Sequence, residues 1–129
     1  MTTELGSPFT TATGGRRTLR IAVVNGSPSE KSKTMGLVDV MVQTLAGRLA
    51  EEGVATEQSR VDVYRLGPAF AGAVERAGIA AEVEGALREV EQADLLIAAS
   101  PVFRGAYTGR FKHFFDLVDH YALATKPVL

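Results

Sequence analysis

Two short runs, Leu19–Val24, almost all aliphatic with Arg20 its one charge, and the wholly aliphatic Leu95–Ala99, constrain this chain more than anything else in it. Neither alternates apolar with polar, so neither suits a strand with one wet face. Each reads as a β-strand covered on both sides, the kind found in the middle of a parallel sheet. Between and after them the periodicity changes to that of helices. Val38, Val42, Leu45 and Leu49 predict a helix over 34–52 with Gly53 at its end. Ile79, Val83, Leu87 and Val90 predict a second amphipathic helix, and Phe111, Phe114 and Val118 a third. Residues 59–66 begin by alternating, Val61 and Val63 against Arg60 and Asp62, which suits a half-wet edge strand. Gly67–Gly78 reads as a loop or short irregular helix, and Pro127–Leu129 as the first residues of another strand. Strand and helix in regular alternation specify an α/β fold, a parallel sheet wound on both faces.

The chain's 129 residues allow one domain. Residues 1–18, rich in threonine and glycine, have little to bury and are expected to form a mobile N-terminal tail before a domain over 19–129. A net charge of −1 gives no electrostatic reason to expect nucleic acid or an anionic membrane as partner. There is no cysteine, which removes disulfides, thiolate metal sites and a cysteine nucleophile from consideration. No apolar stretch approaches a membrane span, and the N-terminus lacks the pattern of a signal peptide, so a cytoplasmic location is the default expectation.

Ligands of doubly wound sheets bind beyond the carboxyl ends of the strands, and two loops of this chain fall there. The first, Gly26–Thr34, carries Ser27, Ser29, Ser32, Lys33 and Thr34 at a strand-to-helix junction. Unpaired amides at a helix start suit a phosphate, and the hydroxyls and one ammonium complete its shell. The spacing is not that of a nucleotide P-loop, because the positions of both required glycines hold serine, and no G-x-G-x-x-G occurs. Serine and threonine also serve as plain helix caps, so this loop alone leaves both readings open. The second loop, Ser100–Gly109, sets Phe103 and Tyr107 beside Gly105 and Gly109, a combination able to flank a flat ring while backbone amides meet its edge. A ligand with phosphate at one end and a planar ring at the other spans both loops, and flavin mononucleotide (FMN) has that shape. His113 and His120 lack partners at metal-ligand spacing, and Asp116 and Asp119 read as the solvated face of their helix.

At Asn25–Thr34 and Ala99–Asp116 the sequence resembles the NAD(P)H-dependent FMN reductase family, and within it the branch that supplies reduced flavin to alkanesulfonate monooxygenases. The resemblance implies a flavodoxin-like fold with five parallel strands in order 2-1-3-4-5, of which this chain holds three and the start of a fourth. The chain therefore reads as a piece of a longer protein, truncated after the start of strand 4. The resemblance also implies transfer of a hydride from NAD(P)H to N5 of FMN, with a flavin-dependent monooxygenase as a recipient and a homodimer or homotetramer as the assembly. A non-catalytic flavodoxin-type electron carrier is the alternative. By the same resemblance Ser27, Ser32, Lys33 and Thr34 contact the phosphate. Pro101, Val102, Phe103 and Arg104 border the isoalloxazine, largely through backbone, and Tyr107 lies at the entry of the next helix and at a subunit interface. Many family members carry an arginine where this chain has Ser29, which shifts more of the phosphate binding to Lys33.

Overall fold

The computed structural model describes residues 10–11 and 17–129. Its centre is β2 (Arg17–Asn25), which pairs in parallel with β3 (Val54–Asp62) along its whole length and with β4 (Leu95–Ala99) through Ile21–Asn25. A two-residue strand, β1 (Thr10–Thr11), runs antiparallel to Arg17–Thr18. It shares one side of β2 with β4, occupying the end that β4 leaves unpaired. The sequence places the first strand at Leu19, whereas it starts at Arg17, and most of the tail expected over 1–18 lies outside the described residues. On the far side of β4, Leu96 N–H donates to Pro127 O (3.0 Å) and Leu129 N–H returns a bond to Leu96 O (2.9 Å), a parallel bridge centred on Val128. Counting the parallel strands alone, the order is 2-1-3 with the beginning of the fourth beside the third, the flavodoxin-like arrangement.

Burial follows from that order. Leu19, Ile21 and Val23 of β2 face α1 (Lys33–Glu51) and pack with Met35, Val38 and Val42. Ala22 and Val24 face the other way, toward α3 (Ala81–Glu91) and α4 (Gly109–Leu117), where Val83, Leu87, Val90, Phe114 and Leu117 close the second layer. A strand apolar on both faces is what such a position requires. The edge strand β3 is shifted from the strand expected over 59–66: it begins earlier, at Val54, and stops at Asp62, because Val63–Arg65 turn as a 3₁₀ helix that buries Val63. Val54–Gln58 carry Thr, Glu and Gln yet are strand, paired residue for residue with Arg17–Ile21 of β2. Backbone pairing to the central strand decides the conformation here, while the side chains remain partly exposed. After β3 a 3₁₀ turn (Val63–Arg65) leads into α2 (Gly67–Ala71), a five-residue helix with Pro68 in its first turn, whose Phe70 is buried against Phe114.

Candidate functional site: two loops at the carboxyl ends of β2 and β4

The first loop is shaped by Asn25, the last residue of β2. Its side chain is fully buried, and both ends are satisfied: Nδ2 donates to Asp62 Oδ1 (2.9 Å) and Oδ1 accepts the Ser27 N–H (3.0 Å). A buried amide left unpaired would cost about 1–3 kcal/mol, so this pairing both tolerates the polar group and sets the turn. Asp62 is in turn held by Arg60 Nε at 2.9 Å and lies 3.6 Å from Arg65 Nε, so guanidinium groups neutralise its charge beside the loop. The chain then passes Ser27, only 3% exposed, whose Oγ donates to Ser29 O (3.1 Å). Ser32 is the N-cap of α1, its Oγ accepting the Met35 N–H at 3.2 Å. Exposed Lys33 and half-buried Thr34 follow as the first two helical residues, and the first turn contains no acidic side chain. Their amides have no acceptor within the helix, and the positive end of the dipole is unopposed.

The second loop is a tight hairpin. Phe103 and Ala106 exchange both backbone hydrogen bonds (2.8 and 3.1 Å), and between them Arg104 and Gly105 have φ of 56° and 80°. Positive φ at both central residues is the type I′ turn. Gly105 fits it without strain, whereas Arg104 occupies a region that costs a side-chain-bearing residue about 1 kcal/mol or more. The hairpin holds Val102 (74% exposed), Phe103 (50%) and Tyr107 (52%) in solvent, with Pro101 half-buried beneath them. Tyr107 rests its ring on Phe111 at 5.9 Å, and Phe111 on Phe115 at 5.0 Å, a ladder running down α4.

The two loops are one structure. Gly26 N–H donates to Ala99 O at 2.7 Å, and the Thr108 hydroxyl donates to Gly26 O at 2.6 Å. Thr108 is the N-cap of α4, and the same hydroxyl oxygen accepts the Phe111 N–H (3.2 Å). Its own N–H donates to Ser100 Oγ (3.0 Å). A Cβ on Gly26 would lie 2.7 Å from Phe111 Cδ1 and 2.8 Å from Phe111 Cβ, so only glycine permits this approach. Sequence reasoning proposed that the loops adjoin but missed Asn25, which shapes the first, and Gly26 and Thr108, which join the two. The one local signal was a threonine directly before a helix start.

Other sequence candidates have structural partners. His113 Nε2 lies 2.8 Å from Phe70 O with its ring against the Phe70 ring, and Asp116 pairs with Lys112. Among the described residues no group of acidic or histidine side chains could hold a metal ion.

Residues 19–129 match the family model described as NADPH-dependent FMN reductase. The chain belongs to that family. Within the FMN reductase family it is similar to the NADH-dependent FMN reductase SfnF of Pseudomonas putida, 42% identical over 111 residues that cover 86% of this chain and 58% of the relative. It is also similar to an FMN reductase (NADPH) of Pseudomonas aeruginosa, 32% identical, covering 85% and 56%. The chain thus spans a little over half the length of these relatives. Among solved structures it resembles an oxidoreductase from Corynebacterium diphtheriae (TM-score 0.76, 28% identity, 85% of this chain and 60% of that one). A second is an apo NADH:FMN oxidoreductase (TM-score 0.70, 28% identity, covering 85% and 55%). The family resemblance and the flavodoxin-like fold read from the two loops are both borne out.

Proposed function

We propose that residues 19–129 form the FMN-binding domain of an NAD(P)H-dependent FMN reductase. The observation that carries this reading is the direct join between the loops, Gly26 N–H to Ala99 O and Thr108 Oγ1 to Gly26 O, which makes an anion-friendly helix start and an exposed apolar hairpin neighbours. The residues present fit the cofactor. The amides of Lys33 and Thr34, the Lys33 ammonium, and the Ser32 proton that capping leaves unused all suit a phosphate dianion. Ser27 contributes by holding the loop's shape through Ser29 rather than by a free hydroxyl. Phe103, Val102 and Pro101 offer an apolar surface to a planar ring, Arg104 contributes its strained backbone at the hairpin tip, and Tyr107 closes the side nearest α4.

When bound, FMN supplies a ring nitrogen that accepts a hydride from the reduced nicotinamide. One proton is taken up as NAD(P)H and FMN become NAD(P)⁺ and reduced FMN. The chain's part is to bind, orient and exclude water. The names of the relatives favour a reductase over a non-catalytic carrier, and they favour FMN with NADH or NADPH as the ligands. A flavin-dependent monooxygenase as the recipient, a homodimer or homotetramer, and a cytoplasmic location where NAD(P)H is supplied complete the proposal. No described helix is long and apolar enough to cross a membrane.

Titrating FMN with the chain and following quenching of flavin fluorescence tests the site, and loss of NAD(P)H absorbance in the presence of FMN tests the activity. Saturable quenching is expected. Unchanged fluorescence at excess protein overturns the assignment of the loops.

A further inference from the structure

We infer that Thr108 is a positioning residue that sets the register between the phosphate loop and the ring-binding hairpin, an inference that rests on the flavin-site reading above. An N-cap needs only a side-chain acceptor, and the Thr108 oxygen serves Phe111 N–H in that way. Capping α4 does not require the hydroxyl proton. That proton goes to Gly26 O at 2.6 Å, in a segment 82 residues earlier in the sequence, and Thr108 is 4% exposed, so water does not compete for either bond. One hydroxyl therefore ties the N-terminus of α4 to the turn that opens the phosphate loop, and its backbone N–H ties the hairpin's base to Ser100. Gly26 is pinned from the other side by its bond to Ala99 O, and Phe111 fills the space that a Cβ at residue 26 would take. Removing the hydroxyl leaves Gly26 O without this partner and the Gly26–Ala99 bond as the remaining hydrogen bond between the loops, so the start of α4 can shift against the phosphate loop. Neither loop's own fold depends on it: the first keeps the Asn25, Ser27 and Ser32 bonds, and the hairpin keeps the Phe103–Ala106 pair.

The consequence concerns ligands that bridge both loops. FMN engages the two halves at once, whereas riboflavin, which lacks the phosphate, engages the ring half alone. A fixed register gives the bridging ligand the advantage of a second contact made at high effective concentration. Loss of register removes that advantage and leaves the ring's own affinity nearly intact.

The test measures dissociation constants of FMN and riboflavin by fluorescence quenching for the full chain and for Thr108→Val and Thr108→Ser, each below its melting temperature. In the wild type FMN is expected to bind at least about tenfold tighter than riboflavin, in Thr108→Val that ratio falls toward one while riboflavin affinity changes less than about threefold, and Thr108→Ser keeps the ratio. Parallel loss of both affinities would mark a merely structural role and overturn the inference, as would an unchanged ratio. Binding of neither flavin by the wild type would fell the flavin-site reading and the inference together, an outcome distinct from wild-type binding with an unmoved ratio. Amide exchange of the ligand-free wild type gives a second check that needs no variant to fold. The Phe111 N–H, bonded to Thr108 Oγ1, is expected to be protected to within about tenfold of the Gly26 N–H, bonded to Ala99 O, because the Thr108 hydroxyl couples opening at the start of α4 to opening of the phosphate loop; Phe111 exchanging about a hundredfold faster would overturn the inference.

Discussion

Gly26→Ala puts the close approach of the two loops to a direct test. The new methyl would lie 2.7 Å from Phe111 Cδ1, 2.8 Å from Phe111 Cβ and 3.1 Å from Cγ. A ring can rotate away from the first and third contacts, but the second is to an atom fixed to the backbone of α4. Restoring an ordinary carbon–carbon separation of about 3.5 Å or more moves α4 and the loop apart by roughly 0.7 Å. That displacement stretches the 2.7 Å Gly26–Ala99 and 2.6 Å Thr108–Gly26 bonds at the same time. Overpacking of this kind costs about 1–3 kcal/mol. At about 2 kcal/mol the melting temperature of a chain this size falls by roughly 6–10 °C, read by circular dichroism. Adding Phe111→Ala should recover only part of the loss, because the Cβ contact at 2.8 Å remains. A single variant that melts within about 1 °C of the wild type, well below the roughly 3 °C that even 1 kcal/mol would give, would refute the reasoning.

Three further outcomes follow from other parts of the structure. Gly36→Ala, in the first turn of α1 where a Cβ meets nothing within 4 Å, should stabilise the chain by up to about 0.5–1 kcal/mol in chemical denaturation, and any loss would contradict the open surface drawn there. Ser32→Ala removes the cap on Met35 N–H and should cost about 1 kcal/mol by the same measurement, together with weaker quenching of FMN than of riboflavin. Arg76 grips Glu84 (2.7 Å) and Glu91 (2.6 Å) and reaches Leu117 O, joining α3 to the end of α4. Its hydrogen bonds are the main cause of the lowered pKa of both carboxylates, with Glu84 lowered from 4.5 to about 2 and Glu91 below its usual value. A carboxylate held low in the folded state contributes stability that is present above its unfolded value and lost as pH falls toward the folded one. Melting temperature should therefore drop between pH 4.5 and about 2, and Arg76→Gln should flatten that slope; an identical slope in the variant would exclude the network as its source.

Where burial is two-sided and local, the fold was readable from residue order. Leu19–Val24 and Leu95–Ala99 could only be central strands, and the +3/+4 spacing of Val38, Val42 and Leu49 led to α1 within a residue of its ends. The first half of β3 was not readable, because Val54–Gln58 are strand through pairing with β2 rather than through a pattern of their own. α2 was readable only as one of two alternatives, a loop or a short irregular helix over 67–78, because five residues make too few turns to express a period. The candidate site divides in the same way. Composition marked the two loops, but the bonds that unite them connect residues 26 and 108, and no local pattern encodes a contact over that separation.

The same division bears on how the serine and threonine residues of the two loops are to be understood. Helix capping and ligand binding looked like rival explanations of these residues in the sequence, and the geometry removes the rivalry. A hydroxyl that caps a helix spends a lone pair and keeps its proton. Thr108 gives that proton to Gly26 O, whereas Ser32, capping Met35 N–H, has its proton left to offer to an acceptor at the start of α1. One residue type at equivalent helix starts thus supports two different roles. If that is right, the two alanine substitutions differ in kind: Thr108→Ala disturbs the registry of the loops, and Ser32→Ala leaves registry alone and weakens only the phosphate half. The ratio of FMN to riboflavin affinity falls in both, but amide exchange at Gly26 rises only in the first. A rise at Gly26 in Ser32→Ala would mean that the caps, rather than the hydroxyl between residues 26 and 108, hold the loops together.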